Sequence, residues 1–383
     1  MNKDKKLVKK GLAGAVLALA LVALVFLLNI LTNAIGQSET EAPDIDAPSP
    51  FAASDEPSKP MPPEPMPEPV IQPAPAPISP PDKSEGADID ADAPSHDDEP
   101  PDDPVERSVA NILELDEGLS DTLAAVARDF NCVAASLAFF DGESEYLTFQ
   151  YGFADVGERR LVEEETKFRI ASLSKLVVVI LAMTLVEEGL LDLDTDISDY
   201  LGYEARNPFH PDTPITSRML MQHTSSIYDT GAYQSGRLSY EADTTRNLLN
   251  MSTVHRDRLP GSQHEYSDFA FAVLGAVCEG VSGKLLDDLA AVALFEPIGI
   301  DAAFAAKNLQ NKNIATLYNT SHDQSRSVQA QLNQGASGPL VHQHNMAIGN
   351  LTISALDFTR ILVMLADGGV CDGVRVLSEG SVR

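Results

Sequence analysis

Nineteen of the chain's 25 prolines fall between residues 38 and 104, and that stretch holds a single aromatic residue, Phe51. Proline fixes φ and carries no amide hydrogen, so such a run suits neither a helix interior nor a central strand. MPPEPMPEP (61–69) and QPAPAP (72–77) suit the polyproline II conformation instead. ADIDADAP and HDDEPPDDP add like charges that repel one another and extend the chain. A segment this poor in large apolar side chains cannot bury enough surface to offset the entropy of ordering it. Residues 33–104 are therefore expected to form a disordered, acidic, proline-rich stalk, which would reach about 200 Å if drawn out fully at ~3.1 Å per residue. A docking ligand for a partner that reads PxxP is the rival reading of the same prolines.

Lys3, Lys5, Lys6, Lys9 and Lys10 precede an apolar run from Gly11 to Leu31 that only Asn29 interrupts. At ~1.5 Å per residue this run spans ~30 Å of hydrocarbon. A cleaved signal peptide usually has an apolar region of only ~7–15 residues, and Thr32-Asn33-Ala34 is a poor cleavage site. Residues 11–32 are thus expected to be an uncleaved transmembrane signal anchor. The basic end, 1–10, should stay in the cytoplasm. The chain would then be a single-pass protein of the cytoplasmic membrane with its bulk on the extracytoplasmic, periplasmic side.

The net charge of −30 divides into +4 over residues 1–10, −16 over 38–104 and −18 over 105–383. A nucleic-acid partner needs clustered Lys and Arg, so none is expected. Cys132, Cys278 and Cys371 are too few for a disulfide framework, and no CxxC occurs. They read as ordinary buried thiols, with one disulfide open outside the cytoplasm.

Folding signals begin near Val105, which makes 105–383 the folded domain. Residues 106–130 place Leu119, Leu123, Val126 and Phe130 at helical spacing. CVAASLAFF (132–140) and EYLTFQYGFADV (145–156) read as strands joined at Asp141-Gly142. The remainder reads as mainly helical, with breaks at Pro260-Gly261 and from Gly280 to Gly283.

Within KFRIASLSKLVVVILAMTLVEEG (167–189), Ser172 and Lys175 form the chain's one SxxK. The apolar run 176–185 is too short to span a bilayer and reads as a buried helix ended at Gly189. Residues i and i+3 share a helical face, which puts Lys175 within reach of the Ser172 hydroxyl. A serine needs a neighbouring base to become a useful nucleophile, and a helix N-terminus favours a developing oxyanion. The plain alternative is Ser172 as a helix cap and Lys175 as a solvated first-turn residue. Further on, Tyr266-Ser267-Asp268 precedes another apolar helix, and Tyr266 could move a proton.

Six stretches, in order, resemble the penicillin-recognising serine hydrolases, in the branch of class C β-lactamases, D-alanyl-D-alanine carboxypeptidases and related esterases. They are YGFADVGERRLVEEETKFRIASLSK, LVEEGLLDLDTDISDYL, ITSRMLMQHTSSI, PGSQHEYSDFAFAVLGAVCEGVSG, FEPIGI and GNLTISALDFTRILVMLADGG. The resemblance implies an α+β fold, an antiparallel sheet flanked by helices with a mostly helical lobe beside it. It implies Ser172 as the acylated nucleophile, Lys175 as its proton partner and Tyr266 as general base or proton relay. It implies no metal and no organic cofactor, and as substrates β-lactams, D-alanyl peptides of the cell wall, or small esters and amides. Oligomeric state is left open.

Two features depart from that pattern. Asp268 stands where the family has Asn. An amide can donate a hydrogen bond to a substrate carbonyl, whereas a carboxylate only accepts, so Asp268 is expected either to bind a substrate group that donates or is positively charged, or to mark weakened catalysis. A carboxylate there also favours Lys175 as an ammonium. The family's third motif, HxG or KTG/KSG on a late strand, occurs nowhere in the chain. The expectation is a domain incomplete at its C-terminus, with those strands missing from a longer reading frame. A non-catalytic binding or scaffold relative of the same fold is the alternative. His223 in QHTSS reads as structural, and His342 and His344 read as loop residues without a carboxylate at ligand spacing.

Overall fold

The computed structural model describes residues 111–114, 117–140, 145–236, 244–334 and 344–383. The basic end, the apolar run, the stalk, the Asp141-Gly142 turn and His342 lie outside the described residues, as does the side chain of His344.

The strand periodicity on either side of residue 142 produces strands β2 (Ala134–Phe140) and β3 (Glu145–Asp155), paired antiparallel from Ala134 opposite Gly152 to Phe140 opposite Tyr146. A short β4 (Arg160–Leu161) continues the antiparallel pairing on β3. The segment 106–130 is not one helix. Asn111–Glu114 forms strand β1, parallel to β3, and helix α1 covers Glu117–Asp129. Only Ala127 of α1 is buried, whereas Val126 is 47% and Phe130 57% exposed. Their helical spacing therefore marks the helix but not a face turned to the core. The fold is α+β, as expected.

The core lies in the helical part. Helix α2 (Ser174–Glu187) buries Val177, Val178, Ile180, Leu181, Ala182 and Leu185. Helix α3 (Asp268–Ser282) is buried at every position from Phe269 to Glu279. A helix apolar all round belongs in the middle of a domain. The break expected from Gly280 to Gly283 falls at its far end, because Gly280 continues α3. A Cβ there would come 2.6 Å from the carbonyl oxygen of Tyr200, so glycine permits a close approach, and the helix ends instead at Gly283 with φ +64°. No single helix among the described residues is long and apolar enough to cross a membrane.

Strand β5 (Lys167–Arg169) pairs antiparallel with β6 (Thr352–Ser354) and leads directly into the serine-bearing turn. Helix α4 (Ala355–Ala366) follows β6 and packs against β2. The Lys167 ammonium, 3% exposed, sits 3.2 Å from Asp301 and 3.9 Å from Asp357. Burial raises the Asp301 carboxyl, but the amides of Asn311 and Gln310 and the Lys167 charge outweigh it and hold the group below the ordinary carboxylate range. The stability this contributes is present above about pH 4 and lost on further acidification. Lys167→Met leaves a buried carboxylate without its counter-charge. It should destabilise the domain by about 3–5 kcal/mol, read as a lower urea midpoint. A change below ~1 kcal/mol would mean that water reaches the pair.

Of the three cysteines, Cys278 and Cys371 are buried as expected, but Cys132 is exposed, and all three are free thiols. Cys132 lies before β2 in a turn where Asn131 takes φ +54°, which removes it from the strand's alternation.

Candidate functional site

Ser172 does not open the long helix. It lies in a 3-10 turn, Ala171–Leu173, immediately before α2. The turn is clamped to the segment around Gly349. The Arg169 guanidinium donates to the Gly349 carbonyl (2.9 Å) and to Asn350 Oδ1, and the Ile170 amide donates to the Leu351 carbonyl (2.9 Å). Ser174 donates its hydroxyl to the Ala171 carbonyl (2.6 Å) and accepts the Leu351 amide (3.0 Å). Gly349 lies against the backbone of Ala171, where even a Cβ would meet it at 3.4 Å, an ordinary contact. Ala171 itself takes φ +49°, a conformation that side chains disfavour.

The clamp leaves Ser172 exposed above a buried lysine. Lys175 Nζ donates to Ser172 Oγ (3.2 Å), to Asp268 Oδ1 (2.7 Å) and to the Ile348 carbonyl (2.7 Å). An ammonium has three protons to donate, and the site supplies three acceptors. Tyr266 Oη lies 2.8 Å from Ser172 Oγ and 3.2 Å from Asp268 Oδ1. The four side chains singled out in the sequence thus meet in one cluster. Ser172 caps neither helix, and Lys175, 6% exposed, is not a solvated surface lysine.

Two residues complete this geometry that sequence reasoning left out of the site. The Asp229 carboxylate accepts the Ser267 hydroxyl and the amides of Asp268 and Phe269, each at 3.0 Å. It thereby fixes the first turn of α3, where a negative charge also meets the helix dipole favourably. His223 Nδ1 accepts the Ser267 amide (3.1 Å), and its ring packs against Tyr266 with centroids 4.5 Å apart and against Phe271 at 4.9 Å. His223 is structural, as expected, and what it supports is the Tyr266 side of the cluster. The left-handed φ of His223, +56°, was a backbone fact that no sequence pattern displayed.

Burial, then the neighbouring His264 and Lys175, pushes the His223 imidazole from 6.5 down to about 4. A base whose folded value is depressed stabilises the fold above its unfolded value and loses that contribution as protons bind. The unfolding midpoint should therefore fall between pH 6.5 and about 4. In His223→Asn, which tolerates positive φ, that fall should be smaller. An unchanged slope would place the acid sensitivity elsewhere.

Among the described residues no group of three His, Cys, Asp or Glu side chains converges as a metal site. A cavity of about 810 Å³ lies elsewhere, lined by residues that include Asp155, Arg160, Glu163 and Lys312, and it contains none of the four clustered side chains. Its polar groups largely satisfy one another, Arg160 with Asn313 and Asn313 with Glu163. Chemistry rather than volume marks the candidate site.

Comparison with known proteins follows the same residues. The chain is 28% identical over 228 residues to esterase EstB of Burkholderia gladioli, covering 56% of each protein. It is 28% identical over 255 residues to penicillin-binding protein 4 of Amycolatopsis lactamdurans, covering 65% of this chain and 63% of that protein. It therefore spans less than two thirds of the length of these relatives. In fold it is similar to the octameric penicillin-binding protein homologue of Pyrococcus abyssi, with a TM-score of 0.56 and 21% identity over 70% of this chain and 59% of that one. The Beta-lactamase family model matches residues 120–375, through the serine turn, the Tyr266 segment and helix α4, and the chain belongs to that family.

Proposed function

We propose that the protein is a membrane-tethered serine acyl hydrolase that works through an acyl-enzyme on Ser172. The observation that carries this reading is the position of Ser172 Oγ, 2.8 Å from Tyr266 Oη and 3.2 Å from Lys175 Nζ. Ser172 Oγ attacks the substrate carbonyl carbon while Tyr266 Oη takes its proton. The Lys175 ammonium offsets charge that develops on Oγ. The Ser172 amide, in the first turn before α2, offers a donor to the carbonyl oxygen as it becomes an oxyanion. Tyr266 returns the proton to the leaving group. A water then attacks the acyl carbon along the same route and releases Ser172.

Small esters, amides, β-lactams and D-alanyl peptides all present an acyl carbon to such a serine. The similarity to an esterase and to a penicillin-binding protein supports this range. Asp268 Oδ2 has no hydrogen bond among the described residues, and we assign it to a substrate group that donates. The test is acylation mapped by mass. Incubation with a fluorophosphonate and with a fluorescent penicillin should leave an adduct on the peptide that contains Ser172. An adduct on another side chain, or none with either reagent, would sink the reading. The Asp268–Lys175 pair, which commits the lysine to a carboxylate, favours a second reading, a binding protein of the same fold. That reading expects saturable binding of the penicillin with no covalent adduct.

The apolar run 11–32 supports an anchor, with 1–10 in the cytoplasm, 33–104 as tether and 105–383 on the extracytoplasmic side. Carbonate at high pH should leave the full chain in the membrane fraction, and protease added to spheroplasts should cut it within 33–104. Release by carbonate, or protection from the protease, would overturn the anchor or its orientation.

A further inference from the structure

Lys175 is an unsuitable base in this site. All three of its donor directions end on acceptors, one of them a carboxylate oxygen at 2.7 Å, and the side chain is buried. A base must be unprotonated at the working pH, and an ammonium already holds its proton. Among the described residues the Ser172 hydroxyl has one other hydrogen-bond partner, Tyr266 Oη at 2.8 Å, and Tyr266 in turn donates to Asp268 Oδ1 at 3.2 Å. An amide oxygen at residue 268 would accept that hydrogen bond but could not take the proton. A carboxylate can do both.

We propose that Asp268 is the terminal proton acceptor of a Ser172–Tyr266–Asp268 relay, with Lys175 remaining an ammonium throughout; this rests on Ser172 being the acylated nucleophile. As Oγ bonds to the acyl carbon, the carbonyl π pair moves to its oxygen. The Ser172 proton passes to Tyr266 Oη, and the phenolic proton of Tyr266 passes to Asp268 Oδ1. When the tetrahedral intermediate collapses, the pair on oxygen re-forms the carbonyl and the bond to the leaving group breaks. Tyr266 gives the leaving group a proton and regains its own from Asp268. Water repeats the sequence in deacylation, and Ser172 Oγ leaves with the returned proton. Tyr266 never carries a full charge, and its ring is kept in register by His223 at 4.5 Å.

The charged and titratable groups around Asp268 are Lys175 from α2, Asp229 and His223 from the turn that precedes α3 in space, and Tyr266 on its own segment, with His264 edge-on beyond His223. His223 is neutral above its depressed value. Of these, Tyr266 and Lys175 each touch both Ser172 and Asp268, and an ammonium has no lone pair with which to pass a proton on, which leaves Tyr266 as the link.

The experiment follows the acylation burst of the full chain with p-nitrophenyl butyrate across pH, in wild type, Asp268→Asn, Tyr266→Phe and the double variant. Asp268→Asn is isosteric, and a melting curve checks that it folds. The burst rate of Asp268→Asn at neutral pH should fall at least about tenfold, and its acid limb should move up by about one pH unit or more. Two residues in one relay lose activity together, so the double variant should be no slower than the worse single variant within about threefold. In wild type the burst rate against deuterium fraction should curve, because two protons move at once. An equal or faster burst in Asp268→Asn with the limb in place would overturn the relay, as would additive losses. The Ser172→Ala control separates the two levels. A burst that survives in Ser172→Ala overturns the underlying reading, whereas a Ser172-dependent burst indifferent to Asp268 overturns the relay alone.

Discussion

Ser172→Ala should lower kcat/KM for p-nitrophenyl butyrate by at least about 10⁴-fold, as expected when an attacking atom is deleted, while leaving the melting temperature almost unchanged. Both halves of this result come from the same geometry. Ser172 Oγ is hydrogen-bonded only to Tyr266 and Lys175 among the described residues, and it caps no helix. The bonds that hold the turn belong to its neighbours, Arg169 to Gly349 and Ser174 to Ala171 and Leu351. Removing an exposed hydroxyl outside that clamp should change stability by no more than about 0.5 kcal/mol. Ser174→Ala is the contrast, because Ser174 is buried and bonded to two backbone groups. It should cost about 1–3 kcal/mol in stability and affect activity only through the position of the turn. If Ser172→Ala keeps more than about a tenth of the activity, the attacking group is not this serine, and the turn is a structural feature alone.

The cluster could be read from the sequence because its spacing obeys helix geometry. Ser172 and Lys175 are three residues apart at the head of an apolar run, a separation that brings side chains together whether the first lies in the helix or in the tight turn before it. Joining them to Tyr266 and Asp268, more than ninety residues on, took the resemblance, since no local rule relates separations of 94 and 93 residues. The supports of the cluster were illegible for a physical reason. Asp229 and His223 act through backbone amides of Ser267, Asp268 and Phe269, and any residue has such amides. The amides that donate to them carry no side-chain identity that could have pointed to them. Local pattern also misled in α1, where Val126 and Phe130 keep helical spacing yet face solvent. Between the two glycines at the end of α3 it could not choose: Gly283 ends the helix, and Gly280 serves a helix–backbone approach. The strands 132–140 and 145–156 were legible because short runs rich in apolar, aromatic and β-branched residues and a turn signal between them agree.

Lys175→Met is expected to separate the catalytic reading from the binding one. Methionine has nearly the length of lysine and suits the surroundings of the Nζ atom, which lies 5.1 Å from the centre of the Tyr266 ring and 5.7 Å from that of Phe271. The substitution removes three donors at once. The Ile348 carbonyl loses its hydrogen bond, Asp268 loses its counter-charge, and Ser172 loses the positive group beneath its hydroxyl. Asp268 is 26% exposed at its side chain, so water can replace part of what the ammonium gave it. The stability cost should then stay near 1–3 kcal/mol, below that for the fully enclosed Lys167. The chemical cost should be larger, a fall of about 10²–10⁴ in the acylation rate, because the negative charge on Oγ in the transition state now faces a bare carboxylate. Lys175→Arg should not rescue it, since a planar guanidinium cannot place three donors on acceptors arranged around a single nitrogen. A protein that only binds its ligand would show the stability loss of Lys175→Met and no covalent chemistry in either form. An acylation rate within about threefold of wild type would show instead that the ammonium serves the fold, and would leave Tyr266 as the only side chain among the described residues that touches Ser172 and could take its proton.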